Sequence, residues 1–266
     1  MSIRPIDLRD ILEYVPRFRD QVFVVSIDGS VVADANFDSV LTDLAVLHSL
    51  GIRLVICHGI GWQIRDLAKT KALRYTNDRG EGPTDDTTLE LAVEATGLAM
   101  SAIARGLSRR NLPFAVQNAV SARPVGIVKG VDQQNTGVCD AINAQRITRL
   151  LDNREIPMIS PIVHDDKGRT LRLNSDQLAA SLAIELRASK LIFLTSQPRL
   201  SIEGEPILNC SSEHLGQVIA KASASIAPPL LSKAREAVRV LASSTDRVHI
   251  LDGRIDGGLL IEIFDK

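Results

Sequence analysis

The sequence predicts an α/β protein organised on a mainly parallel sheet, and three observations carry that prediction. Residues 22–30 (VFVVSIDGS) form an apolar, largely β-branched run ending in an Asp-Gly turn, the pattern of a buried strand. Residues 53–61 (RLVICHGIG) repeat the pattern and again end on glycine. Segments of helical periodicity follow each of them, so strand feeds turn and turn feeds helix. Such a chain opens a ligand crevice at the carboxyl ends of its strands, where glycine lets exposed N–H groups approach an anion.

The elements follow in order. Residues 4–19 set Ile6, Leu8, Ile11, Leu12, Tyr14 and Val15 among charges, an amphipathic helix broken at Pro16. Two readings stand for it: a surface helix capping the sheet, or an arm against a neighbouring subunit. Residues 36–50 present Phe37, Val40, Leu41, Leu44, Val46 and Leu47 on an apolar helical face and stop at Gly51. Another helix starts over 62–69. Residues 73–86 (LRYTNDRGEGPTDD) read as an exposed hairpin or lid, with Thr84 capping a helix from about 85 to 107.

Residues 114–119 and 124–131 read as strands, the second ending in Lys129-Gly130. A helix over 143–153 precedes a buried strand over 156–163 with Pro161 near its end. DDKG at 165–168 is a hairpin turn. Asn174-Ser175-Asp176 caps a helix over 177–187, and KLIFLT at 190–195 is one more buried strand. Gly204 sits in a hairpin-like turn, helices cover 213–222 and 230–241, and a last strand (247–251) precedes a closing segment (258–264). No repeat or interdomain linker interrupts the chain, so one domain over 1–266, with the helix at about 4–19, is expected.

Composition narrows the function. The chain has 266 residues, 45% of them hydrophobic, enough for a full core. Aromatics are only 3% and the net charge is −1 with no long basic run. Neither base stacking nor polyanion binding has a footprint, so no nucleic-acid partner is expected. Cys57, Cys139 and Cys210 lie far apart with no metal-ligand spacing, and Cys57 reads as a small core residue. No apolar run reaches the length of a membrane span and no signal peptide opens the chain. The expectation is a soluble cytoplasmic protein without a metal site.

Four blocks, taken together, identify a relationship: NFDSVLTDLAVLHSLGIRLVICHGIGWQI, TDDTTLELAVEATG, LNSDQLAASLAIELRASKLIFLTS and RVHILDGRIDGGLLIEIF. In this order they resemble the amino-acid kinase family, specifically acetylglutamate kinase and the kinase-like domain of N-acetylglutamate synthase. The resemblance spans nearly the whole chain and leans toward the synthase's domain. It implies a three-layer α/β/α sandwich with a mainly parallel central sheet. The synthase carries an acetyltransferase domain after this one. This sequence stops at Lys266, about where that domain would begin, so acetyltransferase chemistry is expected to be missing from it.

Phosphoryl transfer is catalysed mainly by positioned cations and backbone donors. The family supplies a lysine on the first strand ahead of a Gly-Gly turn. Ser26 stands at the lysine's position and Asp28 at the first glycine's, leaving Gly29. A hydroxyl cannot neutralise phosphoryl charge, and a carboxylate in the turn would repel it. The family's HGGG reads His58-Gly59-Ile60-Gly61, and the β-branched Ile60 puts the turn's anion-binding shape in question.

The substrate arginine of the family's G-x-R-x-T motif falls on Gly82, so Arg79 or Arg74 would have to reach in from the loop. In the N-x-N-A-D pattern Arg172 replaces the first asparagine, while Asn174 and Asp176 remain, Asp176 favoured here as a helix N-terminal residue. The nucleotide-side Thr-Asp is Thr195-Ser196. The second catalytic lysine matches Lys233, behind Pro228-Pro229 instead of Gly-Gly. The catalytic remnants are therefore Lys233 and Asp176, and the binding remnants Gly29, His58, Gly59, Gly61 and Asn174.

Arginine-sensitive members bind L-arginine beside the N-terminal helix, away from the kinase site. The matching positions are Tyr14, Lys190, His249 and Glu262. A guanidinium suits a carboxylate such as Glu262, and the ligand's carboxylate suits Lys190. The resemblance thus implies a catalytically degenerate module of arginine biosynthesis, a homo-oligomer that binds L-arginine or N-acetylglutamate and pairs with a separate acetyltransferase, with no tightly bound cofactor. The alternative is an active acetylglutamate kinase, or a kinase for another carboxylate, using ATP and Mg²⁺. A third reading is a partner subunit without any ligand.

Overall fold

The computed structural model describes residues 16–198, 201–202, 205–206, 210–223, 225–243 and 245–264. The helix expected at about 4–19, with Tyr14, lies almost wholly outside them. The central sheet has six strands, all parallel, in the order β14 (Arg247–Asp252), β11 (Lys190–Thr195), β1 (Val22–Ile27), β2 (Arg53–His58), β8 (Ile156–Ile159) and β3 (Phe114–Val116). The expected strand over 190–195 is met residue for residue.

Alternation along these strands builds two cores, one on each face of the sheet. Phe23, Val25 and Ile27 join Leu54 and Ile56 under α2 (Phe37–Ser49), α4 (Asp86–Arg109) and α9 (Gly258–Phe264). On the opposite face Val24, Val55, Cys57 and Phe193 pack against α5 (Ala144–Asp152) and α6 (Ser175–Glu185). This is the three-layer α/β/α arrangement. A second sheet, ordered β10 (Thr170–Arg172), β9 (Ile162–His164), β4 (Val120–Pro124), β7 (Gly137–Ile142), extends the second core through Leu171, Val163 and Val120.

Several local expectations change. Residues 73–86 form no hairpin, and Gly80 and Thr84 are buried. Their polar side chains close the loop on itself: Gly80 N–H donates to Asn77 Oδ1 (2.8 Å), and Thr76 Oγ1 donates to the Pro83 carbonyl (2.6 Å). Asp85, not Thr84, caps α4, accepting from the Thr88 N–H, while Thr84 bonds Thr136 in the interior. Residues 124–131 are not one strand. Lys129 and Gly130 both take positive φ (50° and 80°), which makes a two-residue hairpin turn between β5 (Ile127–Val128) and β6 (Val131–Asp132).

The run 156–163 also divides, because Pro161 supplies no N–H and the chain passes from the central sheet to the second one. The closing segment is the helix α9, so Glu262 is helical and not a strand residue. The turn expected at Gly204 lies outside the described residues; β12 (Ser201–Ile202) and β13 (Glu205–Pro206) pair antiparallel. Helices α3 (Gly61–Lys71), α7 (Ser212–Ala222) and α8 (Pro228–Leu241), with the short α1 (Gly29–Val32), complete the described elements. None of the described helices is long and apolar enough to cross a membrane.

Candidate functional site

The ends of β1, β2 and β11 deliver three turns to one crevice of about 200 Å³. Asp28, Gly29 and Ser30 come from the first turn, Gly59, Ile60 and Gly61 from the second, Ser196 and Gln197 from the third. Opposite them stand Asn174, Ser175 and Asp176 at the start of α6, Lys233 and Ser232 from α8, and Asp78 and Arg79 from the folded loop. The position is the one that parallel-sheet topology dictates for a ligand.

The crevice is dominated by one ion cluster. The Lys233 ammonium sits 2.9 Å from an Asp28 oxygen and 2.9 Å from an Asp176 oxygen, with only 3% of its side chain exposed. Ser232 Oγ donates to the other Asp176 oxygen at 2.7 Å. Burial alone would lower the lysine's pKa, yet the combined pull of Asp28 and Asp176 holds it above its ordinary value. Burial raises the Asp176 carboxyl, and Lys233 pulls against that rise. The 2.9 Å contacts describe an ammonium gripped by two carboxylates.

The glycines of the turns serve close packing. A Cβ at Gly29 would come within 2.1 Å of Gln63 Oε1, whose amide nitrogen donates to the Gly29 carbonyl at 2.8 Å. A Cβ at Gly61 would lie 2.6 Å from the Asp78 carbonyl oxygen. Ile60 adopts a negative φ of −135°, so its branched side chain is not forced into the left-handed region. Asn174 caps α6 by accepting from the Asp176 and Gln177 N–H groups (2.8 and 3.0 Å).

Two expected site residues do not line the crevice. Ser26 is buried in register with Cys57, its hydroxyl unpartnered among the described residues. His58 is fully buried; desolvation drives its pKa down to about 4, so it is neutral, with Nδ1 3.4 Å from the Gly59 carbonyl. Its role is in the strand interior, a correction to its expected place at the ligand. Cys57 is the core thiol expected, pushed by burial up to about 12. Of the two candidate substitute arginines, Arg79 lines the crevice and Arg74 does not.

At the other end of the sheet a second cluster forms. Lys190 opens β11, His249 lies on neighbouring β14, and Glu262 reaches over from α9. Lys190 Nζ is 3.4 Å from His249 Nε2, and His249 Nδ1 is 3.0 Å from Glu262 Oε1. The ammonium also sits 5.3 Å from the Phe18 ring centre and 5.9 Å from that of Phe23. Burial and the neighbouring Arg247 pull Lys190 down to about 8, against Asp246 and Glu262. Burial and Lys190 likewise lower His249. Three of the four expected residues are thus brought together; Tyr14 lies outside the described residues.

Three contributors escaped the sequence reading. Asp28 was read only as a repellent of phosphate, although a carboxylate placed opposite a retained lysine signals charge compensation. Ser232 carried no signal. Arg172, read as a lost asparagine, is a buried cation on the crevice wall whose Nη1 donates to the Asn77 carbonyl at 2.9 Å.

The comparisons with known proteins fit this geometry. An amino-acid acetyltransferase from Pseudomonas putida is 32% identical over 269 aligned positions, covering 97% of this chain and 62% of that protein. The chain thus spans about 62% of the length of that curated relative. N-acetylglutamate synthase from Neisseria gonorrhoeae, solved with coenzyme A and N-acetyl-glutamate, superposes with a TM-score of 0.90 at 29% identity, over 99% of this chain and 61% of that one. The same enzyme with coenzyme A and L-arginine gives 0.90 at 28% identity, over 99% and 63%. The model of the amino acid kinase family matches residues 21–252, from β1 through β14 with the crevice between. This chain belongs to the amino acid kinase family.

Proposed function

We propose that this chain is a catalytically degenerate, acetylglutamate-kinase-like module of arginine biosynthesis that binds L-arginine and does not transfer phosphate. The observation that carries the reading is the Lys233 ammonium, held at 2.9 Å by both Asp28 and Asp176. Its charge is already met within the chain, and one of the two anions stands in the turn that a phosphate would have to approach.

The residues present do not fit Mg-ATP. Ser26, at the first-strand lysine's position, is buried away from the crevice, and Pro228 and Pro229 occupy the first two positions of α8 without N–H groups to offer. A volume of about 200 Å³ also falls below the roughly 300–1,000 Å³ of sites that enclose larger ligands.

In this reading Glu262 takes the guanidinium of L-arginine, Lys190 takes its carboxylate, and Tyr14 and His249 complete the site. The Lys190–His249–Glu262 cluster and the L-arginine complex of the gonococcal synthase support it. The module acts as a cytoplasmic homo-oligomer in concert with an acetyltransferase. N-acetylglutamate is the second ligand to be tried.

Lys233 and Asp176 on the crevice wall favour a second reading, an ATP-dependent carboxylate kinase. Calorimetry with L-arginine, N-acetylglutamate and Mg-ATP, alongside an ATP turnover assay, separates the two. Saturable L-arginine binding without turnover is the expected result. Turnover with N-acetylglutamate that disappears in Lys233→Met would overturn it.

A further inference from the structure

Helix α9 opens without a cap of its own. Its first residue is Gly258 and the residue before it is Gly257, at φ 65°, so neither offers a side chain to the free N–H groups of the first turn. Seven residues also make a helix too short to hold itself in water, so tertiary contacts must tie it. The tie comes from α2. Asp43 is 5% exposed, and the Leu259 and Leu260 backbone N–H groups bond its carboxylate. Those are the second and third positions of α9, the pair that an N-cap side chain ordinarily serves. Burial raises the Asp43 carboxyl, the Leu260 and Leu259 N–H groups draw it down, and Asp256 raises it again.

The start of α2 also fastens the connection that leads into α9. Ser39 Oγ donates to Asp256 Oδ1 at 2.5 Å and accepts from the Gly257 N–H at 3.3 Å. Asn36 Nδ2 donates to the Gly253 carbonyl at 3.1 Å. Ser39 and Asp43 lie four residues apart, so one face of α2 carries both ties. Leu259 and Ile263 bury the inner face of α9. Apolar burial is non-directional and decides which face turns inward, whereas hydrogen bonds to the first turn decide where along its axis the helix begins.

Glu262 stands one turn beyond Gly258 and accepts at the end of a short chain. Its Oε1 is 3.0 Å from His249 Nδ1, and Lys190 Nζ is 3.4 Å from His249 Nε2. An ammonium only donates and a carboxylate only accepts, so the imidazole between them is neutral with its proton on Nδ1. Sliding α9 by one residue's rise, about 1.5 Å, would break the bond to Glu262. We infer that Asp43 is a positioning residue for the Lys190–His249–Glu262 cluster: it is the N-cap that α9 lacks, supplied from α2, and it fixes the reach of Glu262 to His249 and to a ligand's guanidinium. The ligand half of this rests on the L-arginine reading; the reach of Glu262 to His249 does not.

Protein labelled with ¹⁵N-histidine and free of ligand provides the first arm of the test. The His249 Nδ1 resonance, assigned by its loss in His249→Gln, should move in Asp43→Ala in the direction it moves in Glu262→Ala. It should move less in Asp43→Asn, which keeps an acceptor but not the charge. A loss of stability alone leaves the resonance of the folded protein in place. Calorimetry with L-arginine is the second arm. Asp43→Ala should bind about tenfold more weakly, the cost of loosening one charge-assisted contact. Adding Asp43→Ala to Glu262→Ala should cost nothing further, since both act through one carboxylate. If Asp43→Ala fails to fold, Asp43→Asn decides alone. An unmoved His249 resonance in a folded Asp43 variant, L-arginine affinity undiminished by Asp43→Ala, or additive losses in the double variant would each overturn the role. A wild type that binds no L-arginine would sink that reading and leave the His249 resonance to decide this one.

Discussion

Two buried lysines at opposite ends of the central sheet carry the contrast that matters here. Lys233 and Lys190 are 3% and 6% exposed, so desolvation presses on both. Lys233 has two carboxylates at 2.9 Å and is held charged; Lys190 has an imidazole at 3.4 Å, a nearby arginine, two aromatic rings and, among the described residues, no carboxylate in contact. Among the described residues, one cation is closed internally and the other is left short of a counter-charge. A residue in the first condition holds structure together. One in the second invites an anionic partner, and the two ends of the sheet have diverged in that sense.

The largest effect should come from breaking the closed end. Lys233→Met removes the ammonium and leaves Asp28 and Asp176 facing each other on the crevice wall, also giving up a contact 5.7 Å from the centre of the Phe193 ring. Removing one partner of a buried ion pair typically costs about 3–5 kcal/mol. Urea denaturation should show a loss of that order. Asp28→Asn should cost less, since Asp176 and Ser232 keep their geometry. A Lys233→Met protein as stable as wild type would mean the cluster is not the structural lock described.

At the open end the effect should fall on binding. Glu262 is 36% exposed, and its one described bond is to His249, so Glu262→Ala should fold normally. Hydrogen bonds to charged groups contribute about 1.5–3 kcal/mol, so L-arginine affinity should drop roughly ten- to hundredfold by calorimetry. Unchanged affinity would remove L-arginine from this end of the molecule.

What could be read from the sequence followed from local physics. The apolar runs of β1, β2 and β11 announce buried parallel strands, and the 3.6-residue face of α2 is plain in Phe37, Val40, Leu41 and Leu44. The second sheet escaped because β4 and β7 mix buried, half-buried and exposed residues over five or six positions, and only long-range pairing makes them strands. The sites divide in the same way. Lys190, His249 and Glu262 sit on three different elements, so no spacing rule joins them; the family resemblance did. Asp28 looked like a defect because its meaning depends on Lys233, from a helix near the far end of the chain. Arg172 looked like a lost asparagine because its burial on the crevice wall is not written in its neighbours.

The smallest effect is also the most discriminating, because it reports the counter-charge deficit directly. Lys190 titrates near 8 in the folded chain and at 10.5 when exposed. Between those values the unfolded chain binds more protons than the native one, so this group makes stability rise with pH from about 8 to 10.5. Below 8 both forms are protonated and the native state bears the full cost of the desolvated charge. After allowance for solvent screening the rise should be about 1–2 kcal/mol. Urea denaturation of wild type and Lys190→Met at pH 7.5, 9 and 10 isolates it, since other titrations cancel in the difference. A bound carboxylate should reverse the deficit by holding Lys190 protonated, so L-arginine should stabilise the protein more at pH 7.5 than at pH 9. If wild type and Lys190→Met run parallel across that range, Lys190 has its counter-charge already, and the two ends of the sheet are alike after all.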